Sequence, residues 1–275
     1  MTRQRRRPAA VRLQRLASPS LHSWAPPPYL PAGVKENASV DAGWGRIFFG
    51  QTFSRHEDLI RLFGEEPAGR RDLAIYVWEH HILVGKAPEL LFVDPSIQYR
   101  LWIFNYRHPK RRTGGFMIRP LLTRADAEAQ NAIYDASGMV TADPDVVLEN
   151  QATQTFSYFL AVDGNDRVIG TITGVDHVKA FGDPDNGASF WCLAVRPGRR
   201  TRGVGKTLVR QLAEHYLARG REYLDLSVMH DNRRAIRLYR TLGFRQVPVY
   251  VVKRRNDINR PLYSGGPPPD GHAKP

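Results

Sequence analysis

A basic loop that contains glycine, set between an apolar strand and an amphipathic helix, constrains the fold of this chain more than any other feature. The apolar run 189–195 predicts a strand, and apolar positions at helical spacing predict a helix over 204–219. Gly203 and Gly205 let the backbone turn tightly and approach a ligand closely. The unpaired amides of the first helical turn would then point at one spot, with the helix dipole adding positive potential. Such a site suits a phosphate or a pyrophosphate, although the loop alone could equally be an ordinary connection with solvated arginines.

The loop differs from two common phosphate-binding patterns. In the Walker pattern the first glycine would stand at position 200, which is Arg200. In the dinucleotide fingerprint the third glycine would stand where this chain has Leu208. Nucleotide hydrolysis and dinucleotide binding are therefore disfavoured.

A second motif follows the predicted strand 223–229 directly and reads N-R-R-A-I-R-L-Y-R-T-L-G-F over residues 232–244. Asn232 suits the N-cap of a helix, and Gly243 suits its C-cap. Together with R-T-R-G-V-G at 200–205, this motif resembles the acetyl-CoA-binding core of the GNAT N-acetyltransferases. The order of the two motifs, separated by one helix and one strand, makes the resemblance specific.

The GNAT resemblance covers about residues 115–255 and implies an α/β fold of the α+β kind, with a central mixed, mostly antiparallel sheet and flanking helices. It implies acetyl-CoA as co-substrate, no metal, and direct attack of an amine on the thioester. Tyr239 would protonate the leaving thiolate of coenzyme A, although packing in an apolar helical face is the other interpretation of this side chain. The cofactor-binding residues that the resemblance implies are Leu193, Ala194, Val195, Arg200, Thr201, Arg202, Gly203, Val204, Gly205, Lys206, Thr207 and Asn232.

The acceptor ammonium must lose a proton before it attacks, so the implied reaction needs a base or a chain of water molecules. Glu149, Asp176 and His177 are candidates by rough position, although each also suits a surface or loop-anchoring role. The strand 189–195 contains no glutamate that could act as the base. Cys192 is expected to be a small buried apolar side chain rather than a nucleophile, because no histidine partner is visible nearby.

Four further segments are similar to the acetyltransferase region of the N-acetylglutaminylglutamine synthetases, bacterial proteins that make an acetylated dipeptide osmolyte. These segments are 43–46, 49–53, 99–102 and 173–184. In that family an ATP-grasp ligase commonly follows the acetyltransferase. The sequence holds no such ligase, so the resemblance implies a stand-alone or truncated form, with a separate ligase as a possible partner. The implied acceptor is the α-amino group of glutamine or of a glutamine dipeptide.

Composition divides the chain into five parts. These are a basic, proline-rich leader at 1–38, a small α+β unit at 40–107, a linker at 108–114, the GNAT domain at 115–255 and a tail at 256–275. We expect the leader and the tail to lack fixed structure. The unit at 40–107 could be a degenerate half of a second acetyltransferase fold, a dimerisation piece or a lid over the acceptor site.

Local patterns predict most of the individual elements. Thr123 and Asp143 are expected to cap two helices of the GNAT part, and the strand that begins at Val168 is expected to continue to Val178. A helix is expected over 56–66. Short apolar runs in the N-terminal unit predict strands at 46–50, 73–78, 82–85, 90–93 and 99–104.

The charge of the chain favours an anionic partner. Lysine and arginine number 40 against 27 acidic residues, which gives a formal net charge of +13. No aromatic residues interleave the arginines of the leader, so single-stranded nucleic acid finds no stacking platform there. A nucleic-acid-binding protein is therefore the alternative that the motifs favour least. A non-catalytic GNAT-like module that senses acyl-CoA or a metabolite is the closer alternative.

The remaining composition indicates the compartment. No run of about 18 apolar residues is present, which excludes a membrane-spanning helix, and we expect no membrane partner. The single cysteine forms no intrachain disulfide and fits a reducing compartment, so we expect a cytoplasmic protein.

Overall fold

The computed structural model of the chain describes residues 30–108, 114–198 and 202–264. The predictions for most of the leader, most of the linker and the end of the tail lie outside these ranges. The described residues form two β-sheets that pack through a shared hydrophobic core. Among them, no helix is both long and apolar enough to cross a membrane.

Twelve strands lie in the described part of the chain. They are β1 (Ser39–Asp41), β2 (Arg46–Phe49), β3 (Leu73–Ile75), β4 (Leu91–Val93), β5 (Ser96–Trp102), β6 (Phe116–Pro120), β7 (Phe156–Asp163), β8 (Val168–Asp176), β9 (Gly187–Val195), β10 (Tyr223–Met229), β11 (Arg245–Gln246) and β12 (Val251–Arg254). The α-helices are α1 (His56–Gly64), α2 (His80–Lys86), α3 (Arg124–Ala136), α4 (Pro144–Gln151), α5 (His177–Phe181), α6 (Val204–Ala218), α7 (Arg233–Thr241) and α8 (Arg260–Tyr263).

The larger sheet has seven strands in the order β11-β5-β10-β9-β8-β7-β6. Its neighbouring strands pair antiparallel, except for the parallel pair β9 and β10. This arrangement confirms the predicted mixed, mostly antiparallel sheet with flanking helices. The smaller sheet has five strands in the order β1-β2-β3-β12-β4.

The helices of the larger sheet begin where local capping chemistry predicts. The Thr123 hydroxyl accepts a hydrogen bond from the Asp126 amide at 3.2 Å, and an Asp126 carboxylate oxygen accepts from the Thr123 amide at 3.3 Å. The Asp143 carboxylate accepts from the Asp145 amide and so caps α4. Both predicted caps are confirmed. They set the direction in which α3 and α4 leave the sheet.

Each sheet contains strands from both of the predicted folded units. β5, from the N-terminal unit, pairs with β10 from Ser96 opposite Met229 to Trp102 opposite Tyr223. β12, which follows the GNAT motifs, pairs with β3 and β4 of the smaller sheet. The segment 108–114 therefore separates parts of the sequence without separating the two sheets. Pairing between strands that are distant in the sequence depends on which edge strand of a sheet is available. A local sequence pattern does not indicate which edge this is.

Two predicted elements are wrong. The run 82–85 is not a strand but lies within α2, where Ile82 and Leu83 are buried on one side. A short apolar run fits a buried helix as well as a strand, which explains the error. The strand that begins at Val168, β8, is predicted to continue to Val178 but ends at Asp176. The Asp176 carboxylate accepts a hydrogen bond from the Lys179 amide and so caps α5.

Aromatic side chains join the two sheets. The rings of Trp44 and Trp191 lie 6.3 Å apart, and those of Phe49 and Phe181 lie 4.5 Å apart. Each pair brings a residue near β2 against one from the larger sheet or its α5 connection. Burying large aromatic surfaces on both sides contributes stability roughly in proportion to the apolar area removed from water. This packing fixes the smaller sheet beside the end of β9, where the candidate site lies.

Candidate active site

The parallel strands β9 and β10 separate part-way along their length. Their pairing runs from Gly187 opposite Tyr223 to Phe190 opposite Leu226 and ends there. Both strands continue beyond this point, so the segments 191–195 and 227–229 are no longer bonded to each other. A gap therefore opens within the larger sheet.

A β-bulge in β9 accompanies this separation. β8 pairs Thr171 with Ala194 and Thr173 with Trp191, so two β9 residues face the single residue Ile172. Cys192 has φ +52°, a left-handed backbone conformation that non-glycine residues rarely adopt. A bulge of this kind bends a strand and redirects its peptide groups. It turns the end of β9 away from β10 and towards α6.

Helix α6 begins at the same place, beside the end of β9. Its N-cap, Gly203, has φ +86°, and no described side chain caps the helix. A Cβ built on Gly205 would lie 3.7 Å from Val195 and 3.8 Å from Leu238. Gly205 has no side chain on the side that faces the residues lining the gap, so a ligand can approach its backbone there. The amides of this turn, with the helix dipole, give a local positive potential.

A cleft of about 1370 Å³ occupies the gap. Four cationic side chains line it, namely Arg196, Arg202, Lys206 and Arg234, and no carboxylate side chain of the described residues does. Apolar side chains from β9 and α7, including Leu193 and Leu238, form its walls. A groove with apolar walls and uncompensated positive charge suits a long ligand that carries phosphates.

Helix α7 supplies the remaining predicted residues. The Asn232 side chain accepts from the Ala235 amide at 3.1 Å, which caps the helix, and Asn232 also lines the cleft. Tyr239 lines the cleft as well, and its ring packs against Phe190 and Phe244. Tyr239 is 5% exposed, and this burial raises the pKa of its hydroxyl. The hydroxyl therefore stays protonated at neutral pH.

Residues 127–244 match the model of the acetyltransferase (GNAT) family. The chain therefore contains a GNAT-family acetyltransferase domain. Members of this family generally use acetyl-CoA, and the match supports acetyl transfer as the general activity.

Solved structures agree with this acetyltransferase fold. A GNAT-family protein from Novosphingobium aromaticivorans is similar over 82% of this chain and 88% of its own, with 17% identity and a TM-score of 0.54. A GCN5-related N-acetyltransferase from Sphaerobacter thermophilus is similar over 79% and 75%, with 18% identity and a TM-score of 0.50. One from Kribbella flavida is similar over 80% and 89%, with 15% identity and a TM-score of 0.50. At these identities the similarity shows the fold alone, and it extends beyond residues 127–244.

The structure brings most of the predicted cofactor-binding residues of the acetyltransferase to this one cleft. Arg200 and Thr201 lie outside the described residues. Thr207 is the exception among the described ones, because it does not line the cleft and its hydroxyl donates to the Gly203 carbonyl at 3.0 Å. The predicted residues that line the cleft are Leu193, Ala194, Val195, Arg202, Gly203, Val204, Gly205, Lys206, Asn232 and Tyr239.

The three candidate bases of the acetyltransferase lie elsewhere. Glu149 is exposed on α4. Asp176 is fully buried and forms ion pairs with Arg219 and Arg221. These ion pairs favour the loop-anchoring role of Asp176 over the alternative role of a catalytic base.

The third candidate, His177, is also fully buried. A ring nitrogen of His177 lies 2.9 Å from the Ser189 hydroxyl, and the other lies 3.3 Å from the Tyr223 hydroxyl. His177 lines neither the cleft nor the smaller pocket that adjoins it. Its partners hold α5 against β9 and β10.

Cys192 is partly buried and lines the cleft, so the expectation of a buried side chain is confirmed only in part. Burial raises the pKa of its thiol to about 12, so the thiol stays protonated at neutral pH. Its backbone, rather than its sulfur, shapes the site through the bulge in β9.

Sequence reasoning missed the part of the site that the smaller sheet contributes. Arg71, Asp94 and Lys253 come together beside the parted strands, although they are far apart in the sequence. Lys253 stands in a basic run with Arg254 and Arg255, which reads as a solvated cluster. In the structure, however, Lys253 is buried and paired. No sequence signal separates it from its two neighbours.

Proposed function

We propose that this chain transfers the acetyl group of acetyl-CoA to the nitrogen of a primary amine. The observation that carries the proposal is the cleft between the parted strands β9 and β10. It combines four cationic side chains and the free amides of α6 with the buried hydroxyl-bearing residue Tyr239. This combination matches the needs of a ligand with phosphates, an apolar arm and a leaving sulfur.

We assign residues of the cleft to the pyrophosphate and to the pantetheine arm of acetyl-CoA. The amides of Gly203 to Lys206, with the nearby cations, hold the pyrophosphate. The backbone of 193–195 is not paired with β10, and on that edge it pairs with the pantetheine arm as an added strand would. Asn232 contacts the cofactor near the start of α7. Arg200 and Thr201 lie outside the described residues, and their part in holding the pyrophosphate is inferred from the resemblance alone.

The transfer itself follows from these placements. The lone pair of the neutral amine attacks the thioester carbonyl carbon, so a C–N bond forms and the C–S bond breaks. The sulfur takes a proton from the Tyr239 hydroxyl and leaves as the thiol of coenzyme A. The surplus proton on nitrogen passes to a base or to water, and Tyr239 regains a proton from solvent. The products are an N-acetyl amide and free coenzyme A.

For the acceptor we propose the α-amino group of glutamine or of a glutamine dipeptide as the first candidate. Its support is the resemblance of four segments, among them 43–46 and 173–184, to the acetyltransferase region of the N-acetylglutaminylglutamine synthetases. An ATP-grasp ligase would be the corresponding partner. Such a product would serve as an osmolyte.

Calorimetric titration with acetyl-CoA, followed by an amine screen that monitors thiol release, tests the proposal. We expect saturable heat, a rise in the melting temperature and turnover with at least one amine. Neither heat nor a thermal shift with acetyl-CoA would overturn the whole assignment. Binding without turnover of any amine would instead favour a sensing module that binds acyl-CoA.

A further inference from the structure

A second, smaller pocket of about 260 Å³ adjoins the cleft. Both cavities are lined by the same side chains at the point where β9 and β10 part. These shared residues are Met139, Trp191, Cys192, Ser227 and Met229. The two cavities therefore meet through the gap in the larger sheet. The smaller volume suits a metabolite below drug size rather than a second nucleotide.

The far side of this pocket is formed by the smaller sheet and is charged. The Lys253 ammonium lies 3.1 Å from an Asp94 carboxylate oxygen, and only 11% and 2% of these side chains is exposed. Arg71 adds a second cation, whose Nη2 donates to the Ile258 carbonyl at 3.1 Å. Among the residues that line the pocket, Asp94 is thus the one carboxylate beside two cations, and Glu66 acts on Arg71 from outside the lining. Burying a positive charge without a counter-charge is costly, so the pocket favours an anion.

The ionisation of the two cations agrees with this view. Burial lowers the pKa of Arg71 and of Lys253, and the Asp94 carboxylate opposes that effect at both. The guanidinium of Arg71 nevertheless remains charged at neutral pH. A ligand carboxylate would supply a second negative charge within the pocket itself, where Asp94 is the one carboxylate among the lining residues.

Two buried polar atoms of residues that line the pocket have no hydrogen-bond partner within the described residues. They are Trp44 Nε1 and Arg71 Nε, whereas Asp94 Oδ1 has the Lys253 ammonium as its partner. Trp44 is 5% exposed and Asp94 is 4% exposed. Buried polar groups in native proteins nearly always have a partner. Two such atoms around one small pocket favour a polar ligand.

We propose that this pocket binds the acceptor as a zwitterionic amino acid or short peptide, with its carboxylate held by Arg71 and Lys253. The amino group of the acceptor would then lie at the gap beside Trp191 and Cys192, where the two cavities meet. This inference rests on the proposed acetyl transfer and adds the pocket and the side chains that would recognise the carboxylate of the acceptor. It also gives the smaller sheet a role, because that sheet supplies the charged side chains that recognise the acceptor.

Matched acceptors test the inference. Acetyl transfer is measured for each common amino acid and for its carboxamide, which keeps the amine and removes the negative charge. We expect kcat/KM to be at least about tenfold higher for the preferred amino acid, since a hydrogen bond to a charged group is worth about 1.5–3 kcal/mol. Equal rates for acids and carboxamides would overturn the inference while leaving acetyl transfer intact.

Variants connect this preference to the pocket. Arg71→Gln should lower kcat/KM for the amino acid at least about tenfold and leave its carboxamide within about twofold. Arg71→Lys should restore part of the preference, because it keeps the charge. Arg70→Gln is the matched control, since it removes a charge from the neighbouring residue outside the pocket. An equal loss for acid and carboxamide in Arg71→Gln would contradict recognition of the carboxylate.

Two further measurements keep the result decisive. Lys253→Met repeats the test if Arg71→Gln melts early, because Arg71 also bonds to the Ile258 carbonyl. If no amine turns over, calorimetry of the coenzyme A-saturated protein with the same acids and carboxamides replaces the rate assay. Binding of an acid without binding of its carboxamide supports the inference, and no difference between them overturns it. Failure to bind acetyl-CoA at all is a separate outcome, which removes the proposed function.

Discussion

The cofactor cleft and the acceptor pocket present charge in opposite ways. In the cleft, Arg202 and Arg234 are exposed, and the amides of α6 belong to the backbone. In the pocket, Lys253 and Asp94 are buried, and Arg71 is largely shielded from solvent. Exposed charges are screened by water and salt, whereas buried charges interact strongly and require a partner.

This difference implies different kinds of selectivity. Backbone amides and exposed surface cations attract any ligand with phosphates, and substitution of one such cation should change the binding of that ligand little. Fixed buried charges reject a ligand that lacks the matching group, because the buried partner is then left unsatisfied. We therefore expect the cleft to contribute affinity for the shared co-substrate, and the pocket to decide which amine is acetylated.

The largest effect is expected for Tyr239→Phe. Loss of the proton donor should lower kcat by about 100-fold or more, within the range for general acid–base catalysis. Binding of acetyl-CoA should stay within about twofold, because the ring and its packing on Phe190 are kept. The measurement is kcat beside a calorimetric Kd for acetyl-CoA.

Tyr250→Phe is the control for this change, since Tyr250 is 45% exposed and lines neither cavity of the proposed site. An unchanged kcat in Tyr239→Phe would show that the Tyr239 hydroxyl is not the proton donor and that this side chain serves packing. It would also move the proton donor to another group or to water.

A smaller effect is expected for Gly205→Ala. The added methyl group points towards Val195 and Leu238, so it occupies space in the cleft. We expect the Kd for acetyl-CoA to rise about tenfold, in line with the cost of overpacking. The melting temperature should hold or rise, because alanine is the better helix former by about 1 kcal/mol.

Gly64→Ala makes the same exchange at the end of α1, where an added Cβ meets no atom within 4 Å. It should leave the Kd for acetyl-CoA unchanged. If Gly205→Ala binds acetyl-CoA as tightly as the original chain, the ligand does not approach this turn.

The exposed cations of the cleft should have the weakest effect on ligand binding. Arg202→Gln is expected to raise the Kd for acetyl-CoA only about two- to fivefold, because an exposed charge contributes about 0.2–1 kcal/mol. The loss should shrink further as salt rises from 50 to 500 mM, roughly as the Debye length shortens. The amino-acid preference of the pocket should respond less to salt. A loss at Arg202 that salt leaves unchanged would contradict the contrast between the two regions.

The same contrast explains what the sequence could predict. The cleft is built from β9, α6, β10 and α7, which follow one another along the chain. Local signals therefore suffice for it: glycines where the backbone turns, Asn232 where a helix begins and apolar spacing where it packs. Thr207 shows the limit of the pattern, since its hydroxyl bonds within its own helix instead of facing the cleft.

The pocket could not be predicted in this way. It depends on the pairing of β12 with β3 and β4, and of β5 with β10. These pairings bring Arg71, Asp94 and Lys253 together. None of the three stands in a motif, and their charges alone favour a solvent-exposed position. The spacing of apolar and charged residues along the sequence predicts neither the burial of Lys253 nor the bulge at Cys192.

A third charged pair, whose residues line neither cavity of the proposed site, gives the smallest expected effect on activity. A hydrogen-bonded ion pair with Arg119, at 2.7 Å, lowers the pKa of Asp126 from 3.8 to about 2. The depressed pKa means that ionised Asp126 stabilises the fold above about pH 4, and that this contribution is lost as the pH falls towards 2. Unfolding in denaturant, measured from pH 7 to pH 2, should show this loss.

Asp126→Asn should remove most of that acid-dependent loss and cost about 1–2 kcal/mol at pH 7, because Asp126 also completes the cap of α3. The Kd for acetyl-CoA and the amino-acid preference should both stay unchanged. Glu128→Gln, an exposed position on the same helix, should leave the acid profile as it is. A change in either ligand property with Asp126→Asn would show that charge anywhere in the domain influences the site. The distinction between a charge-tolerant cleft and a charge-selective pocket would then lose its physical basis.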